Sequence, residues 1–258
     1  MATKSRCIGA GRLLRASVLL LFVCCASYAA DACDATGIYG PYGFQLSGTT
    51  TIGGPAQPVA VVGRLVLDGK GAISGVSSVN FNGYFLGNPT TGKYEVKEDC
   101  SVNFSLQDTS GGYQNFTGKA VTGGASIDIQ QSDPGTHERG QMLRSLDTCA
   151  ASSFQGQYRF TLSGHSTPFA TDGVKGPPSA RAVVQADGNG NLVVQRGDAK
   201  TSGTFTVGSD CFVDLQFGLA DGDSSSLIKL RGILVNGGKE MMAVESDPEQ
   251  VGSARFSQ

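Results

Sequence analysis

Of the seven cysteines, Cys33, Cys100, Cys149 and Cys211 lie beyond the first thirty residues and are the residues there best able to make a bond beyond the backbone. Four cysteines suit either two disulfides, for which three pairings exist, or a tetrahedral zinc site. None stands in a Cys-x-x-Cys pair and the histidines are two, His137 and His165, so the spacing favours disulfides and no metal cofactor is expected. The other chemistry-bearing patterns are incomplete. Gly164-His165-Ser166-Thr167-Pro168 begins like the elbow that presents a catalytic serine, but Pro168 replaces the closing glycine and no helical pattern follows. Asp187, Asn189, Asn191 and Asp198 have calcium-loop spacing, yet Leu192 stands where such a loop needs glycine, and a hairpin turn satisfies the same residues without an ion. Arg196-Gly197-Asp198 is the tripeptide integrins read, three residues of little information. Asn103 and Asn115 head glycosylation sequons, and Asn103, alternating with Val102 and Phe104, would face outward. Asp99 and Asp210 each precede a cysteine and are candidate acids, but no second acid, histidine or lysine accompanies both, which reads better as turn capping. Asp133-Pro134 and Asp247-Pro248 read as turns at strand ends. With no nucleophile–base pair, metal set or cofactor motif, a non-catalytic protein is expected.

These residues sit on a chain that opens like an export signal. Lys4, Arg6, Arg12 and Arg15 precede an apolar run from Ala16 to Ala26, and Ser27 and Ala29 offer small residues for cleavage near Ala29 or Ala30. No later stretch reaches the roughly 20 apolar residues of a membrane span. A secreted or periplasmic location follows. Beyond residue 30, sixteen basic residues stand against twenty-two acidic ones, a net charge of −6. Without a basic run, that balance argues against nucleic acid or an anionic membrane as partner.

The rest of the chain is written twice. "CDATGIYGPYGFQLSG" from Cys33 overlies "CAASSFQGQYRFTLSG" from Cys149 with eight identities in sixteen positions. "LDGKGAI" from Leu67, "GKYEVKEDCSVNFSL" from Gly92 and "GKAVTGGASIDIQQSDP" from Gly118 recur in order from Ala186, Gly203 and Gly232. The layout is a leader, 1–30, and two homologous β domains, 31–145 and 146–258. Each copy carries one early and one middle cysteine, and the duplication thereby selects Cys33–Cys100 and Cys149–Cys211.

Within each copy apolar residues alternate, at Tyr42, Phe44 and Leu46 and again at Val102, Phe104 and Leu106, as in strands with one face buried. Asp68-Gly69, Asn82-Gly83 and Gly123-Gly124 punctuate them as hairpin turns. Seven or eight strands per copy are expected in an antiparallel meander. Short consecutive hairpins favour a closed up-and-down barrel, with a β-sandwich as the alternative. On the second strand, Val61, Gly63, Leu65 and Leu67 are replaced in the second copy by Ala180, Ala182, Val184 and Ala186, and Ile127 and Ile129 by Met241 and Ala243. Ala180, Ala182, Val184, Met241 and Ala243 are therefore candidates to line a cavity for a small apolar ligand, against compensating bulk from Phe217 or Leu234.

The Gly-x-aromatic-x-Val-x-x-Asp-Cys strands "GKYEVKEDC" and "GTFTVGSDC", behind their Asp-Gly-x-Gly hairpins, resemble a group of uncharacterised exported bacterial β-rich proteins. At the fold level the copies are similar to lipocalin-like or calycin-like barrels, with Tyr39 where a lipocalin has tryptophan. The resemblance implies export and a barrel but no activity. The expectation is an exported non-catalytic protein binding a small apolar ligand or a cell-surface partner. The alternatives are a barrel isomerase or hydrolase using Asp99 and Asp210, and an adhesive module presenting one surface twice.

Overall fold

The computed structural model describes residues 33–258 apart from 52–53, 110, 122, 171–178 and 222–223. The export signal read in residues 1–30 lies outside the described residues. The first copy forms β1 (Tyr39–Thr50), β2 (Gln57–Asp68), β3 (Ala72–Phe81), β4 (Tyr84–Val96), β5 (Ser101–Asp108), β6 (Tyr113–Ala120), β7 (Ser126–Gln131) and β8 (Arg139–Arg144). The second forms β9 (Gln155–Ser166), β10 (Ser179–Asp187), β11 (Asn191–Arg196), β12 (Ala199–Val207), β13 (Phe212–Asp221), β14 (Ser224–Val235), β15 (Glu240–Glu245) and β16 (Gln250–Ser257). Every strand pairs antiparallel with the next, β8 returns to β1 and β16 to β9, so each copy is a closed up-and-down barrel of eight strands and not a sandwich. Closure leaves no sheet edge to pair with another chain. Among the described residues no helix is long and apolar enough to cross a membrane.

One end of each barrel is closed by the same device. A 3-10 turn, Ala35–Gly37 or Ala151–Ser153, delivers Ile38 or Phe154 into the interior as a plug. The Tyr42 hydroxyl donates to Gly124 O at 2.6 Å, and that of Tyr158 donates to Gly238 O at 2.7 Å, tying the first strand to the double-glycine hairpin. Both cysteine pairs are bonded as the duplication indicates, Cys33 to Cys100 and Cys149 to Cys211, each with Cα atoms 4.9 Å apart. Cys100 and Cys211 take left-handed backbone angles, φ 66° and 68°. The aspartate before each explains how: Asp99 Oδ1 accepts from Ser101 N and Asp210 Oδ1 from Phe212 N, a side-chain turn that holds the cysteine in place. Removing the Cys149–Cys211 bond by a double serine substitution should lower stability by about 2–4 kcal/mol, read as a lower urea midpoint.

The barrels do not hang apart; both belong to one compact unit. Barrel 1 presents the outer face of β8, β1 and β2, where Gly43, Ala60, Val62 and Leu143 point away from their own interior. Barrel 2 meets it with Ile233, Val235, Met242 and Val244 from β14 and β15. Ala60, Val62 and Leu143 consequently belong to the second barrel's hydrophobic cluster and not to the first's. Gly43 permits the approach, since a Cβ there would lie 2.5 Å from Val235 Cγ1. Polar contacts frame the joint. Gln45 Nε2 donates to Ala243 O and Ala254 O, Asn80 Nδ2 to Glu245 O and Gln250 O, and Ser145 Oγ to Leu234 O. Arg64 donates to Leu146 O and Asp147 O, fixing the connection between the copies.

Candidate functional site

The second barrel's β10 and β15 are built from small or flexible residues, and the structure places them in a packed interior. Ala180, Val184, Met241 and Ala243 are buried and Ala182 is half-buried, all in or against the second hydrophobic cluster. Larger groups meet them. Phe160 packs edge-on to Phe217, with centroids 5.3 Å apart, and lies 4.9 Å from Phe256, while Phe154 contacts Phe205 and Phe256. Phe217, Phe256 and Phe205 occupy the positions of Leu106, Met142 and Tyr94 in barrel 1. Rings thus supply volume that the alanines give up, as close packing demands.

The other sequence candidates are placed without forming a reactive cluster. Asp187 Oδ1 accepts from the backbone of Asn189 and Asn191, and Asn191 Nδ2 donates to its Oδ2 at 2.8 Å, so this loop is a hairpin turn whose carboxylate is engaged by its own residues. Arg196 donates to Ala220 O, which keeps the guanidinium of the Arg-Gly-Asp tripeptide half-buried and undisplayed. Ser166 ends β9 in extended backbone and is exposed. Asp99 and Asp210 serve the cysteine turns. Asp133 accepts from Asn115 and Gln131, tying the β7–β8 turn to β6.

A groove lies outside the interiors. It has a volume of about 710 Å³ and runs over the outer face of β16, β9 and β10. Strand register lays out its floor. Arg255 pairs across Thr161 to Arg181, and Ser253 pairs across Ser163 to Ser179, giving an arginine–threonine–arginine row beside a row of three serines. Adjacent positions in a row are about 4.8 Å apart and the rows about 7 Å, so all six side chains fall within reach of one small molecule. Gln45 of barrel 1 forms one wall. Arg255 is half-buried where that wall meets the floor; its guanidinium donates to Gln141 Oε1, while its Nη1 has no acceptor among the described residues. Burial lowers the Arg255 pKa from its ordinary value, and Glu240 opposes the shift.

Two acids that the sequence analysis did not single out lie at the other barrel end. Glu138 and Glu245 are buried at 6% and 2% exposure and, by alternation with Met142 and Met241, point into their barrels. Burial pushes both carboxyls up to about 7, with Asp133 and Asp247 adding to it. They are not equivalent positions. Glu245 takes the place of Gln131, and Glu138 that of Gly252. Glu245 Oε2 lies over Gly252, where a Cβ would come within 2.5 Å, so one strand's acid goes with its neighbour's glycine. The signal for a buried acid was present in "MMAVE", where an alternating strand would place the glutamate inward.

No protein-family model matches the chain, and no curated protein matches it. Among solved structures it is similar to a porin-like protein from Bacteroides uniformis, at 10% identity over 83% of this chain and 96% of that one. The TM-score of 0.13 is too low to bear on fold or function.

Proposed function

We propose that this is a non-catalytic binding protein working outside the cytoplasm, which holds a small polar ligand in the groove over β16, β9 and β10. The observation that carries the reading is the groove itself. Its volume of about 710 Å³ is within the range of small-ligand sites, and it is floored by hydrogen-bonding side chains on rigid strands. The rings of the second barrel weigh against an apolar ligand inside it. Two disulfides fit an extracytoplasmic protein, and the secreted or periplasmic location belongs to the same proposal. The lipocalin-like resemblance contributes only the eight-stranded frame.

The test is native mass spectrometry of the protein equilibrated with a small-molecule extract of its source. The unsubstituted protein should retain an adduct that Ser163→Trp, which fills the groove from an exposed position, no longer holds. An adduct-free spectrum, or an adduct indifferent to that substitution, would sink the reading.

A further inference from the structure

The two barrels use the same outer face for different ends. In barrel 1 the face of β8, β1 and β2 is the docking surface, carrying Gly43, Ala60, Val62 and Leu143. The register of the two barrels is identical here, Phe44 pairing with Gly63 and Met142 as Phe160 pairs with Ala182 and Phe256, so equivalent positions can be read directly. Gly43 becomes Arg159, Ala60 becomes Ser179, Val62 becomes Arg181 and Leu143 becomes Ser257. Gln45 and Gln141 become Thr161 and Arg255. The opposite face diverges in the reverse sense: the docking residues Ile233, Met242 and Val244 of barrel 2 correspond to Lys119, Asp128 and Gln130 of barrel 1. One copy of this face is thus an apolar joint, and the other carries three arginines, Arg159, Arg181 and Arg255.

Resting on the groove reading above, we propose that this face binds an acidic saccharide, a sugar bearing a carboxylate or phosphate beside its hydroxyls. Arg181 and Arg159 are exposed and make no hydrogen bond or ion pair among the described residues. The Arg255 Nη1 donor lacks an acceptor among the described residues. Guanidinium groups on both sides of Thr161 match an anionic group bidentately, which solubility alone does not require. The serine row about 7 Å away offers donors and acceptors at the spacing of sugar hydroxyls. A long polyanion fits less well, because the charge beyond residue 30 is −6 and repels it outside this patch. Solubility is the competing account: arginines would keep the exposed face from docking onto another copy.

Calorimetric titration of the intact protein separates these accounts, using glucuronate, glucose 6-phosphate, glucose and inorganic phosphate as probes. At least one charged sugar should bind about tenfold or more tighter than either glucose or inorganic phosphate, and weaken with added salt. Which sugar binds tells carboxylate from phosphate. Arg181→Gln, on an exposed side chain with no hydrogen bond or ion pair among the described residues, should reduce that affinity about tenfold while leaving the melting temperature unchanged. Arg159→Gln, exposed on the same face beyond the groove's lining, should change the affinity less than Arg181→Gln does. Glucose binding as tightly as the acids, no binding by either charged sugar, or an Arg181→Gln protein that dimerises with affinity intact would each overturn the proposal. If the native adduct is neutral and Ser163→Trp removes it, the groove reading stands and the acidic ligand falls; if the adduct survives Ser163→Trp, the groove is wrong.

Discussion

Replacing Val62 by arginine should cost on the order of 5 kcal/mol and part the two barrels. The substitution installs in barrel 1 the residue that barrel 2 already carries at the equivalent position, Arg181. Val62 is fully buried and belongs to the second barrel's cluster, as do Leu143 and Val244. An arginine there would put its charge into a cluster of apolar side chains that includes Ile233, Val235 and Met242, desolvated at a large cost. Separation of the barrels relieves that penalty at the expense of the apolar joint. A lowered urea midpoint together with a larger radius of gyration in X-ray scattering is the expected pair of observations. The reciprocal Arg181→Val should leave stability within about 0.5 kcal/mol, because that side chain is exposed. A Val62→Arg protein with unchanged midpoint and radius would show that the joint is not held as described.

The comparison of these two residues also shows why part of the architecture was legible in the sequence and part was not. Alternation gave the interior of both barrels because Tyr42, Phe44 and Leu46 repeat with the pleat, and the cysteine positions gave the disulfides because each copy holds one early and one middle residue. Burial on two faces was harder to see. Β2 reads "PVAVVGRLVL" and β15 reads "MMAVE", and each breaks alternation by being apolar on both sides. That break is what a strand covered on both faces produces. Treating these runs only as barrel wall hid the joint, and with it the meaning of Gly43→Arg159 between the copies. Phe217 was legible as compensating bulk for the small residues of β10, whereas Phe256 was not, because β16 meets β9 at the far end of the chain. The arginine–threonine–arginine and serine rows on the groove floor share a strand face, a property visible once register is known.

Neutralising the two buried acids should make the protein more stable, and only above mildly acidic pH. Glu138 and Glu245 have pKa values raised in the folded state from 4.5 to about 7. For an acid raised on folding, the protonated form is the one the fold prefers. Its contribution is fully present below about pH 4.5 and is lost as pH rises to about 7, because the unfolded chain releases its proton first. The shift corresponds to on the order of 3 kcal/mol per residue above pH 7. Glu245→Gln has a precedent inside the molecule, since Gln131 occupies the equivalent place in barrel 1. Asn80 reaches the Glu245 main-chain oxygen and not its carboxyl, so the amide leaves that bond across the joint intact. Urea unfolding of the Glu138→Gln, Glu245→Gln double variant should exceed the unsubstituted protein by on the order of 6 kcal/mol at pH 8, and match it within about 1 kcal/mol at pH 4. Equal midpoints at pH 8 would mean that the carboxylates are better solvated than their burial implies. A gain of the same size at pH 4 would assign the effect to packing and not to charge.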